Sequence, residues 1–372
     1  RGPRSRNEKE RRLMDIGLCI ASHILDEDYV VQAEALGYSH AWFADSQMLW
    51  SDCYASLALA AKNTTRIRLG TGVAVSGTRP PPVTASSIAT INALAPGRTF
   101  LGIGSGNTAM RVMGLPPQRV KAFDDYLATL KPLLSGQEST YVTSAGARPI
   151  RHIMPDRGFV SFEQDIPLYV SGFGPKSLAV AGRQGEGAVL GLPASGAMME
   201  NIWSMLEAEN SALQRDAFYT TALTAIGILE PGEAPNSPRM IDRCGAMAMA
   251  SMHYAFDQFR NFGHQPPHAF AEVWEDYTQL LSQFPEDRVH QRIHMGHNCW
   301  VVPEELAFLT PEVMKRTCLI GEQDEVLERL FELHAAGLNQ VMNLPNFDTR
   351  YEVLAEISEK VIAPTRAWSQ GL

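Results

Sequence analysis

Short continuous apolar runs alternate along this chain with longer stretches in which apolar residues recur every three or four positions. Runs at 14–21 (MDIGLCIA), 40–45 (HAWFAD), 66–75 (RIRLGTGVAV), 99–103 (TFLGI), from 166 (IPLYVSG), 187–192 (GAVLGL), 220–229 (TTALTAIGIL) and 340–344 (QVMNL) predict buried strands. Between them, 27–36, 53–63, 82–95, 118–134, 175–183, 196–212, 325–336 and 351–362 carry helical patterns, with Gly37 and Gly337 as stops. Strict alternation predicts a parallel α/β sheet, and eight such units fit a closed (β/α)8 TIM barrel. An open doubly wound sheet is the alternative. The alternation lapses twice. Residues 137–165, after the fourth helix, read as a hairpin insertion, and 230–318, between strand seven and helix seven, as a larger insertion acting as a lid. The barrel with its insertions then forms one domain over 14–372. Residues 1–13 are basic and polar, without the apolar stretch of a signal peptide, and read as a disordered extension or an expression remnant.

Charge and cysteine usage narrow the class. A net charge of −9 disfavours nucleic acid, whose phosphates need a basic face. It does not disfavour a small anion cradled by backbone amides. No segment reaches the ~18 consecutive apolar residues of a membrane span. The five cysteines are odd in number and show no CxxC spacing, which reads as buried thiols in a reducing cytoplasm. No Ser-His-Asp arrangement, P-loop lysine or fixed pair of carboxylates is visible.

The chemistry gathers where strands end in glycine. Gly70-Thr-Gly-Val73 closes the third strand and Gly102-Ile-Gly-Ser-Gly-Asn107 the fourth. Glycine bares the backbone there and lets a ligand approach it closely. Parallel α/β units open their ligand sites at these carboxyl ends, so the pattern points to an enzyme with a flat, phosphorylated cofactor. Ser171-Gly-Phe-Gly-Pro-Lys-Ser177 is the turn most like an anion site: Gly172 and Gly174 expose amides, Pro175 suits the first helical position, and Ser177 can donate from the first turn. Lys176 adds charge or is simply solvated. Gly104 and Gly106 close the fourth strand similarly, with Asn107 able to bond a ribityl hydroxyl or a pyrimidine edge. His23 follows the first strand, and His297 lies in the second insertion; either can donate a proton to substrate or serve as a hydrogen-bonded structural histidine. His290, His294 and His297 have helical spacing, but Gly296 interrupts them and no carboxylate joins them, so no metal is expected. The methionines and aromatics of 239–315 either line an apolar pocket or fill a core.

These segments, together with Arg79-Pro, Val83-Thr-Ala-Ser-Ser-Ile-Ala-Thr90, Pro167–Gly182 and Thr317–Val341, resemble the bacterial-luciferase-like superfamily, most of all the branch around methylenetetrahydromethanopterin reductase. The similarity spans about 14–362. The resemblance implies a TIM-barrel oxidoreductase using FMN or its deazaflavin analogue F420. It implies a bulge at Gly72-Val73, often with a non-proline cis peptide, that props the tricyclic ring from behind. It lays the ring and its phosphate tail along Ser171–Ser177, Phe173 included, and brings Asp45 to the cofactor; an N-cap is the other reading of Asp45. F420-dependent relatives commonly carry Asp-His at that point, where this chain has Asp45-Ser46. That departure weighs against F420 and against a histidine acid/base at 46.

The reading that follows is a two-component monooxygenase. Reduced FMN from a separate flavin reductase, and O2, would insert one oxygen atom into a small organic substrate beneath the lid, with His23 or His297 as proton donor. The alternatives are an F420-dependent reductase or dehydrogenase passing hydride, and a non-catalytic flavin-binding barrel. Relatives of this kind commonly pair through barrel helices, so a dimer or higher homo-oligomer is expected.

Overall fold

Strands β1 (Asp15–Ile20), β2 (His40–Phe43), β3 (Arg68–Val75), β4 (Thr99–Gly104), β5 (Leu168–Ser171), β6 (Gly187–Gly191), β7 (Tyr219–Thr224) and β8 (Gln340–Asn343) pair in sequence order. In this computed structural model, which describes residues 14–371, β8 pairs back onto β1 in parallel, Asp15 opposite Gln340. The sheet is therefore a closed barrel, and the open doubly wound alternative falls away. The extension expected over 1–13 lies outside the described residues.

Helices α1 (Glu27–Leu36), α2 (Cys53–Asn63), α3 (Pro81–Leu94), α4 (Val120–Leu133), α5 (Pro175–Gln184), α6 (Gly196–Glu207), α7 (Gln323–Ala335) and α8 (Arg350–Ile357) join consecutive strands and complete the ring after β8. Their starts and stops follow local chemistry. Asp52 accepts from the Ala55 amide at 2.9 Å to cap α2, and Gly37, at φ +93°, ends α1 in the left-handed region.

Aromatic side chains plug the lower barrel. Trp42 and Phe100 lie 4.3 Å apart between ring centres, Phe100 and Tyr169 5.5 Å, and Tyr169 and Tyr219 5.4 Å. Trp42 Nε1 and Thr221 Oγ1 both donate to Gln340 Oε1 at 2.8 Å, which gives the buried indole N–H its partner. Gly70 makes room for it, since a Cβ there would sit 2.3 Å from the Phe100 ring. A ligand can therefore enter only from the carboxyl ends of the strands.

Three local readings needed revision. The strand read over 220–229 breaks at Ala225: β7 ends, and Ile226–Ile228 leaves the barrel to pair with Leu319–Gly321. Asn343 Oδ1 takes the Ile226 amide at 2.8 Å, so a side chain replaces the ladder partner at the break. The last helix does not run uniformly to 362, because α8 passes into a π turn over Ser358–Ile362 and then into Ala363–Gly371. Pro364 has no N–H for the Lys360 carbonyl, which accepts from Gln323 Nε2 at 3.0 Å instead. A five-residue helix, Asn107–Arg111, was too short to show in the pattern.

Residues 137–165 contain the antiparallel hairpin Ser139–Thr143 and Gly146–Ile150. The larger insertion carries a long helix, Pro238–Phe262, followed by short helices and turns. Met240, Met247, Met249 and Met252 of that helix are buried in one apolar cluster with Cys19, Trp42, Tyr169, Val189, Met342 and Leu344 of the barrel. These methionines are core, and they fasten the insertion onto the barrel mouth. Among the described residues no helix is long and apolar enough to cross a membrane.

Candidate functional site

At the carboxyl ends of the strands, accessibility is uneven. Gly72 and Val73 of β3, Ser171 of β5, Gly191 of β6 and Leu223 of β7 are half-buried, whereas β2 and β8 are buried along their whole length. Between β3 and β5, β4 runs out into half-buried Ser105, Gly106, Asn107 and Thr108. The accessible positions thus form one arc across the neighbouring strands β3 to β7.

Glycines shape this arc. The Gly72–Val73 peptide is cis, and the β3–β4 register shifts between Thr71 and Ala74, so the bulge stands where the resemblance implied it. A Cβ on Gly72 would lie 2.5 Å from that of Trp42, which puts the bulge directly above the aromatic plug. A Cβ on Gly104 would come to 3.1 Å from Val73 and 3.3 Å from Ser171, so these three expected residues meet at one point. Gly106 is left-handed at φ +85°, and a side chain there would run into Val75 at 2.3 Å.

The Ser171–Ser177 turn borders the arc. Gly174 caps α5, its N–H donating to Ser177 Oγ at 3.2 Å while Ser177 Oγ donates to the Gly174 carbonyl at 2.9 Å. Pro175 fills the first helical position. The amides of Lys176 and Ser177 precede the first intrahelical bond, and Lys176 is exposed. A Cβ on Gly174 would meet nothing within 4 Å, so this corner has room for a ligand. Gly172 does not expose its amide as expected: that N–H donates to the Val189 carbonyl at 3.2 Å, and a Cβ would lie 2.9 Å from the Ser177 backbone. Phe173, 60% exposed, stands over Gly191 and lies 6.1 Å from the Tyr254 ring of the long helix.

Asp45 is placed otherwise. Its buried carboxylate is ion-paired with Arg79 and accepts from the Val75 amide at 3.4 Å. Arg79 also reaches Asp52 at 3.2 Å, and its guanidinium lies 4.9 Å from the Tyr54 ring centre. Asp45 is neither an N-cap nor one of the accessible groups; it ties the end of β2 to the loop after β3. Sequence reasoning noted Arg79 only within a motif, because its partner lies 34 positions away.

The two histidines part company. His23 is exposed, with its ring 5.5 Å from Phe347 beside β1 and β8. On that closed side the insertion is pinned down: Phe347 N donates to the Cys299 carbonyl at 2.8 Å, and Trp50 Nε1 to Cys299 Sγ at 3.3 Å. His297 reaches the β4 side, its Nε2 3.4 Å from Thr108 Oγ1 and 3.1 Å from Asn298 Nδ2. Burial, with His294 and His253 adding, pushes its protonation well below the ordinary histidine range. It is therefore a neutral hydrogen-bonding group near pH 7 rather than a source of an acidic proton. His294 is driven down to about 3, chiefly by burial. All five cysteines are buried and unpaired. Burial pushes the Cys19 and Cys318 thiols up to about 12, too high for a nucleophile. Among the described residues no three His, Cys, Asp or Glu side chains converge as a metal ligand set.

A phosphorylated tricyclic cofactor suits these residues. The fit is clearest at the phosphate, where the open corner at Gly174 and the amide-rich start of α5 with Lys176 suit an anion; at Gly104, Val73 and Ser171 close in to form a bare backbone floor.

Comparison with known proteins fits this geometry. Residues 27–340 match the sequence profile of the luciferase-like monooxygenases. The 5,10-methylenetetrahydromethanopterin reductase of Methanolobus tindarius is 31% identical over 169 residues, 44% of this chain and 48% of its own length. Its Archaeoglobus fulgidus counterpart is 26% identical over 85% of this chain and 88% of its own. An F420-dependent glucose-6-phosphate dehydrogenase from Beutenbergia cavernae is 33% identical over 178 residues, 43% of this chain and 50% of its own. The chain thus spans about half the length of the Methanolobus and Beutenbergia relatives, at 48% and 50%. The solved coenzyme F420-dependent tetrahydromethanopterin reductase of Methanopyrus kandleri superposes with a TM-score of 0.70 at 18% identity, covering 95% of this chain and 99% of that one, a likeness of fold.

Proposed function

The chain belongs to the luciferase-like monooxygenase family and is an oxidoreductase, and from that premise we propose that it transfers hydride between F420 and a small organic substrate at the β3–β7 arc. The observation that carries this reading is the arc itself, four neighbouring strand ends, β3 to β6, with bare or small positions beside the amide-rich start of α5. F420, when bound, supplies a ring carbon that accepts or returns a hydride. The protein's own groups do the rest. The Gly72-Val73 bulge backs the ring, the first-turn amides of α5 with Lys176 hold phosphate, and Asn107 bonds the polar tail. The insertion keeps water from the reacting face, and His297 orients the substrate by hydrogen bonding.

The relatives' names favour F420 over FMN. The sequence departure that weighed toward FMN, Asp45-Ser46, adjoins a carboxylate committed to Arg79 and so bears little on the accessible positions. A second reading keeps support from the family profile, whose description is a monooxygenase. It would use reduced FMN from a separate reductase, with O2.

Anaerobic titration of the purified protein with each cofactor, followed by absorbance, separates the two. We expect F420 to bind at least ~10-fold more tightly than FMN, a difference of about 1.4 kcal/mol. Tighter FMN binding, with substrate-dependent oxygen uptake by the FMNH2-loaded protein, would contradict the hydride reading.

A further inference from the structure

Beside the arc, the insertion buries a cluster of polar groups that the protein itself does not satisfy. Arg111 closes the short helix that Asn107 opens and is 7% exposed. From the insertion come His253, Asp257, His294, His297 and Asn298. Eight of their buried polar atoms have no hydrogen-bond partner: Arg111 Nε and Nη2, His253 Nδ1, Asp257 Oδ2, both nitrogens of His294, His297 Nδ1 and Asn298 Oδ1. Asp257, His253, His294 and Asn298 are each at least nine-tenths buried. Arg111 Nε and Asp257 Oδ2 face each other at 3.9 Å, too far for a hydrogen bond. The rings of His294 and His297 lie 5.4 Å apart, and His297 reaches Thr108 in the short helix that follows β4.

Buried donors and acceptors left unpartnered are unfavourable one by one, and folded proteins carry few of them. Eight in one place imply a partner from outside the chain. We propose that this cluster is the substrate's polar-head subsite, and that it takes an uncharged group presenting a hydrogen-bond acceptor next to a donor, as vicinal hydroxyls or an amide edge do. The fit is chemical. Arg111 offers only donors and the Asp257 carboxylate only acceptors, while neutral imidazoles offer one of each.

Charge argues against an anion. Arg111 and Asp257 offset each other, and the nearby Arg292 is already bound by Glu305, which also takes His253 Nε2. Arg260, itself paired with Glu286, and His290 are the other cationic or titratable groups that act on Asp257. A phosphate or carboxylate entering here would meet the Asp257 carboxylate with no unpaired cation to offset it. The assignment of this ligand as substrate rests on the oxidoreductase reading of the arc; the cluster's chemistry does not.

The test is ligand-observed NMR on the full chain, with glycerol and 2-pyrrolidinone as neutral probes and acetate and inorganic phosphate as anionic ones. The diol and lactam arms tell the two neutral sources apart. Binding of at least one neutral probe is expected, with its Kd raised at least ~10-fold in Arg111→Met, the loss of a charge-assisted hydrogen bond. Arg111→Met strips the buried Asp257 of its counter-charge and should melt lower than wild type, so Arg111→Lys, which keeps the charge without the planar fork of donors, is the second variant and should raise the probe Kd in the same direction. Asp257→Asn should admit acetate at least ~10-fold more tightly, because the repelling carboxylate is gone. Wild-type binding of phosphate or acetate in preference to the neutral probes would overturn the proposal. So would no response to any probe, which would mean ordered water alone fills the cluster. F420 titrated in parallel should bind wild type and Arg111→Met alike. Probe binding without cofactor binding would uphold the pocket and remove the function proposed for the arc.

Discussion

His294 couples the insertion to pH. Burial holds its imidazole at about 3 in the folded protein, far below the ~6.5 of an unfolded histidine. His297 is shifted in the same direction. Between about 6.5 and about 3 the unfolded chain takes up a proton at His294 that the folded chain refuses, and His297 acts in the same direction. Their contribution is therefore fully present above ~6.5 and declines as pH falls, by up to ~1.4 kcal/mol per pH unit for each group. Urea unfolding from pH 7 to 4 should show this slope, and His294→Leu should flatten it by about a third, since buried His40 is shifted the same way. An unchanged slope would place the acid sensitivity elsewhere. The cysteines make a second expectation at this scale. With all five buried, a thiol reagent at pH 8 should modify none of them in the folded protein and all five after unfolding.

Among the elements, α5 and α6 meet at a glycine. A Cβ on Gly182 would lie 1.8 Å from the Leu206 carbonyl oxygen, with backbone rather than a yielding side chain in the way. Gly182→Ala should cost about 3 kcal/mol, the upper end of overpacking, measured by chemical denaturation. A cost under ~1 kcal/mol would mean the two helices separate easily. The barrel elements were legible because each buries a continuous apolar run or a helical stripe. What the pattern could not carry were substitutions of one hydrogen-bond partner for another. Asn343 ends β7 from 117 residues away, and the missing Pro364 amide widens the last helix into a π turn. The candidate site was legible to the same extent. Gly72, Val73, Gly104 and Ser171 announce themselves as small or bare strand ends, and they do converge. Asp45 looked accessible because its partner Arg79 is distant in sequence, and Arg111 and Asp257 gave no motif because helices separated by 146 positions bring them together.

The molecule as a whole is a barrel blocked from below and half covered from above. The aromatic layer around Trp42 closes the interior; the insertion is pinned over β1, β2 and β8 and its cluster also packs against Val73 and Leu223, while half-buried positions remain along the β3-to-β7 edge. The central claim is that this edge carries the phosphorylated cofactor, with its phosphate at the start of α5. Gly174→Asp tests it cleanly, because a Cβ there meets nothing within 4 Å and aspartate is a favoured N-cap, so the fold should hold or gain slightly. The decisive measurement is the F420 dissociation constant of wild type and Gly174→Asp by equilibrium titration, with melting temperatures recorded alongside. The account predicts at least ~10-fold weaker binding in the variant at an unchanged melting temperature, from a carboxylate set against phosphate. Equal affinities in the two proteins would contradict it.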